Sequence, residues 1–88
     1  MLYYITFDIK DATRIENFTR QLSEIGEYIS VLPRCYFLKT KTTLDRNEIY
    51  KKLKAVLYDE DLFLITETEL QSMSGWLSSS AVEWLKDV

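Results

Sequence analysis

Residues 2–9 read LYYITFDI, and the way this stretch alternates decides the fold. Tyr3, Ile5, Phe7 and Ile9 fall on one face of an extended strand, and Leu2, Tyr4, Thr6 and Asp8 on the other. Both faces are largely apolar. The exception is Asp8, a carboxylate near the end of the strand. It is either a solvated terminus that accepts hydrogen bonds from the next turn, or the centre of a site.

Working outward, "KDATRIENFTRQLSEIG" places Ile15, Phe18, Leu22 and Ile25 three or four residues apart, the stripe of an amphipathic helix. Thr13 with Glu16 forms a candidate capping box, and Asp11 is the competing cap. Gly26 stands where a left-handed helix stop is expected. "EYISVLPRCYFLKTKT" is rich in β-branched and aromatic residues but broken by Pro33, which cannot donate to a ladder. It reads as two strands, 27–32 and 35–40, around a Pro33-Arg34 turn. "TLDRNEIYKKLKAVL" is a second helix, with Asp45 and Glu48 as its capping box and Leu44 and Ile49 as a hydrophobic staple. Its buried stripe is Ile49, Leu53, Val56 and Leu57. A last strand spans about 61–67.

The resulting order is β-α-β-β-α-β. The expected fold is therefore α+β and ferredoxin-like, a four-stranded antiparallel sheet with two helices on one face. Residues 1–88 form a single domain, in which 71–88 is a short Trp-rich C-terminal segment packing on the rest. Trp76 and Trp84 are both expected to bury there. Ser80 with Glu83 is a candidate cap for one helical turn, and the Ser78–Ser80 run reads as a turn, with no base beside it. The other face of the sheet, bearing Tyr4, needs a cover: the Trp tail or a second subunit.

Composition narrows the chemistry. Hydrophobic residues make up 47% of the 88, enough for a core, and Cys35 is the single cysteine. With no histidine, the usual Cys/His zinc sites and Cys–His catalysis are excluded within one chain. Cys35 reads as a small core residue. The only glycines are Gly26 and Gly75, so there is no glycine-rich phosphate cradle. No apolar stretch approaches the length of a membrane span, and the expected location is cytoplasmic. Fourteen acidic against eleven basic residues weigh against a dedicated nucleic-acid binder. The basic residues are unevenly placed, however. Arg34, Lys39 and Lys41 fall around the hairpin, and Lys51, Lys52 and Lys54 on the second helix. Arg34, Lys39 and Lys41 are the candidate nucleic-acid contacts, with a solvated face as the plain alternative.

The stretches "TFDI", "YFLKT", "GWL" and "EWL" resemble, along nearly the whole chain, the CRISPR-associated adaptation endonuclease-like family. VapD-type toxins are its relatives, and small SinR-like members come nearest. That resemblance implies a nucleic-acid-associated homodimer in which Asp8 lies near the twofold. Two copies of Asp8 would then bracket Mg²⁺ or Mn²⁺ and serve as a catalytic, metal-binding carboxylate of an endonuclease. It leaves as alternatives a toxin-like ribonuclease and a non-catalytic protein-interaction module of the same fold. Where adaptation-complex members carry a further strand that contacts the integrase, this chain carries its Trp-rich tail.

Overall fold

The computed structural model describes residues 1–40 and 44–86. Four strands, β1 (Leu2–Asp8), β2 (Glu27–Leu32), β3 (Cys35–Lys39) and β4 (Leu62–Thr68), form one antiparallel sheet in the order β2-β3-β1-β4. Helices α1 (Ala12–Ile25) and α2 (Arg46–Lys54) cross between strands, and a 3₁₀ turn (Leu70–Ser72) leads to a third helix, α3 (Ser79–Lys86). The architecture is α+β and compatible with a ferredoxin-like arrangement, to which the third helix is an addition.

β1 lies in the middle, with Tyr4 opposite both Phe37 and Thr66. Its Tyr3, Ile5 and Phe7 side chains, with Ile9 beyond the strand, pack into one core with Phe18, Leu22 and Ile25 of α1, Leu38 of β3, and Ile49 and Leu53 of α2. Phe18 is ringed by aromatics, 5.3 Å from Phe7 and 5.7 Å from Phe63 between centroids. Each such fully buried side chain contributes about 1.5–3 kcal/mol by removal from water.

Local details refine the sequence reading. Asp11, not Thr13, caps α1, its carboxylate accepting from the Arg14 N–H at 3.1 Å. Asp45 caps α2 in the same way through Glu48 N–H, at 2.9 Å. α2 stops at Lys54, short of the expected Leu57, because Val56 and Leu57 tighten onto carbonyls three residues back. Leu57 packs on the core nonetheless. Gly26 is not a left-handed stop, since its φ of −178° is extended. Glycine is needed there because a Cβ would sit on the Lys39 carbonyl oxygen, where the α1–β2 junction crosses the end of β3. The left-handed residue is instead Arg34, at φ 63° in the hairpin turn that Leu32 and Cys35 close. Its carbonyl accepts from Phe7 N–H at 3.1 Å and from the Thr6 hydroxyl at 3.2 Å, which holds the turn in that conformation.

On the second sheet face, Leu85 of α3 is buried with Leu2 and Phe37, and Met73, Leu77 and Trp84 pack around them. α3 is capped by Ser78, whose hydroxyl accepts from Ala81 N–H at 3.3 Å, so Ser80 falls inside the helix. Trp76 departs from expectation. It is 97% exposed, because the loop turns it outward between Met73 and Leu77, whose side chains take the places on the sheet. Truncating Leu85 to Ala should therefore cost about 2–3 kcal/mol in urea unfolding, as a cavity is left beneath the helix.

Candidate functional site on the open face of the sheet

Asp8 ends β1 opposite Leu62, on the face away from α1 and α2. Its carboxylate is partly exposed. Lys10 Nζ donates to Oδ2 at 2.9 Å, and the Arg34 guanidinium lies 3.6 Å from Oδ1. The Lys10 hydrogen bond, with the charges of Lys10 and Arg34, holds the carboxyl below its ordinary range, so it is ionised at neutral pH. Asp11, three residues on, is used as a helix cap. Among the described residues no group of three or more Asp, Glu, Cys or His side chains assembles. Within one chain the donors at Asp8 therefore do not fit a Mg²⁺ or Mn²⁺ site. A single carboxylate with a cation at each oxygen offers neither the ligand number nor the charge.

The dominant polar group nearby is one the sequence reading passed over. Asp61, expected to begin the last strand, precedes it, and its side chain is buried. Its carboxylate accepts from Arg14 Nε at 2.6 Å and from a terminal Arg14 nitrogen at 3.1 Å. It also accepts from the backbone N–H of Tyr58 at 2.9 Å and of Lys10 at 3.4 Å. Arg14 reaches Glu60 at 3.0 Å and lies 4.2 Å above the Tyr58 ring. This clamp joins the β1–α1 loop, which follows Asp8, to the segment before β4. The Arg14 hydrogen bond, with the two backbone donors, pulls the Asp61 carboxyl down to about 2 against the cost of desolvation. At neutral pH it is a fixed charge and no proton donor.

The basic candidates do not converge. Arg34 stands at one end of β3 and Lys39 at the other, roughly 17 Å apart along an extended strand. Arg34 faces Asp8. Lys39 is committed to the tail, its Nζ donating to the Trp84 carbonyl at 2.6 Å while lying 4.0 Å over the Trp84 ring. That places a cation on a carbonyl in the last turn of α3, where it is favoured. Lys41 lies outside the described residues. Lys51, Lys52 and Lys54 are exposed on α2, on the opposite side of the sheet from Lys39.

What does converge is apolar. α3 covers only the Leu2–Phe37 part of the second face. Beyond it, Leu62, Leu64 and Leu32 are 64%, 61% and 51% exposed. They adjoin a groove of about 760 Å³ floored by Tyr4, Cys35 and Phe37, walled by Leu64 and by the loop carrying Trp76. Tyr4 and Phe37 meet edge to face at 5.6 Å. Cys35 is buried, as its reading as a core residue expects. Lys86 is the one charged residue among the described residues lining the groove, and it pairs with Glu83 at 3.4 Å. No helix among the described residues is long and apolar enough to cross a membrane.

The Asp61 clamp carries a pH signature. A carboxyl near 2 when folded, against about 3.9 when unfolded, adds stability that is fully present above pH ~4 and is lost as the pH falls toward 2. Thermal melts of Asp61→Asn should show a lower midpoint at pH 7 and a shallower decline than the wild type between pH 4 and 2. Compared with known families, curated proteins and solved structures, the chain matches none of them.

Proposed function

We propose that this chain is a non-catalytic protein-interaction module of ferredoxin-like fold that pairs as a homodimer through the open face of its sheet. One observation carries the reading: Leu32, Leu62 and Leu64 stand exposed around an apolar groove, on a sheet whose other face is filled by α1 and α2. Contiguous exposed apolar surface of this kind marks a binding face, and twofold pairing is the commonest way to cover it. The ferredoxin-like assignment rests on the crossings. α1 joins β1 to β2 with β3 between them, and α2 joins β3 to β4 with β1 between them, the split-βαβ pattern. In this reading Asp8, Lys10 and Arg34 form a charged border that sets the register of the two faces.

A second reading draws on the place of Asp8 at the end of the same face. Pairing of the faces would carry two Asp8 carboxylates toward a twofold axis. A Mg²⁺ or Mn²⁺ ion held there would suit a nucleic-acid-associated endonuclease like those the sequence resembles. In that case the ion displaces Lys10 and Arg34.

Two measurements test these readings. Light scattering at about 100 μM should report a dimer, and Leu64→Glu should convert it to a monomer with little change in secondary structure. A wild-type protein that stays monomeric would overturn the first reading. Titration of Mn²⁺ during thermal unfolding should give the same curve for wild type and Asp8→Asn. A rise in melting temperature confined to the wild type would favour the metal site by linkage.

A further inference from the structure

The exposure of Trp76 is out of keeping with its neighbours. Met73 and Leu77, on either side, are partly buried against the Leu2–Phe37–Leu85 cluster, so the loop is anchored at both ends. Between those anchors the indole is held 97% exposed, at the rim of the apolar groove. A large aromatic ring that protrudes and a concave apolar groove thus share one face of the molecule. Resting on the homodimer reading above, we propose that Trp76 is a knob which each copy sets into the groove of the other.

Symmetry favours a second copy as the occupant. A twofold axis lying in the plane of the face, and passing between Trp76 and the groove, places each ring opposite the partner's groove. This is the self-complementary condition of an isologous interface. The area is adequate. Trp76 with the exposed parts of Leu32, Leu62, Leu64 and Val82 offers on the order of 500 Å² of apolar surface. An ordinary interface buries about 800 Å² per partner, a little over half of it apolar. Charge does not oppose the match. Lys10 and Arg34 are engaged by Asp8, Lys39 by the Trp84 carbonyl and Lys86 by Glu83, so each of these groups already has a partner within its own copy. Tryptophan set into a well-packed, desolvated pocket is among the residues in which binding hot spots are enriched.

The test uses the whole chain and three variants. Trp76→Ala should melt like the wild type at low concentration and weaken self-association by at least about 30-fold, measured by sedimentation. Leu64→Glu, which blocks the groove wall but keeps the knob, should also be monomeric. Mixing the two should restore a heterodimer, because one intact knob then meets one intact groove. In Trp84→Phe, where Trp76 is the only indole, emission should shift to the blue as concentration rises, in step with the molecular mass. Dimerisation of Trp76→Ala at wild-type strength, with Leu64→Glu monomeric, would overturn the knob and leave the dimer reading standing. A wild type that is monomeric throughout would remove both. Blue-shifted emission already present in the monomer would overturn the proposal by showing the ring docked in its own groove.

Discussion

A central strand that is apolar on both sides obliges the chain to provide a layer for each. Tyr3, Ile5 and Phe7 receive theirs from α1 and α2, whose stripes close a continuous core. Leu2 is covered by Leu85, Trp84 and the loop before α3, and Tyr4 is covered only in part. The third helix spans Ser79–Lys86, about 12 Å of helix, too little to cross a four-stranded sheet. The half of the second face left open follows from that shortfall in length. The groove and the exposed leucines are its direct consequence.

Two cations fasten the irregular parts of the molecule to this frame. Arg14 uses the geometry of a guanidinium, gripping both oxygens of Asp61 while stacking on Tyr58. Because Asp61 also takes two backbone N–H groups, the buried carboxylate is well satisfied, and the segment ahead of β4 is drawn against the start of α1. Lys39 works as a point charge, placed between the Trp84 carbonyl and its ring. Both residues look like members of a surface charge distribution in the sequence. In the fold each is an attachment point.

The same frame explains the environment of Asp8. Its position at the end of β1 puts the carboxylate at the border of the open face, and the left-handed Arg34 turn brings a guanidinium across to it. A carboxylate so placed suits a charged edge around an apolar contact. Metal chemistry there would need a second copy to supply further ligands.

The residues themselves determined whatever depends on neighbours within about four positions. The alternation of 2–9, the Phe18–Leu22–Ile25 stripe, the Asp45 cap and the turn at Pro33-Arg34 are local in this sense, and the strands and first helix fall within a residue or two of their expected bounds. The carboxylate of Asp8 was visible in the sequence as an exception to a pattern, but its partners were only half visible, since Lys10 is two residues on and Arg34 arrives through sheet pairing. Tertiary structure alone decided the rest. Arg14 and Asp61 are 47 residues apart, and Lys39 and Trp84 are 45. Gly26 is required by a carbonyl of another strand, not by its own dihedral angles. Trp76 and Trp84 carry the same local signal, a Trp-Leu pair in a polar segment, yet one stands on the sheet and the other in solvent. Hydrophobicity states what burial is worth to a side chain. Which side chain obtains it depends on where the anchored ends of its loop meet the sheet.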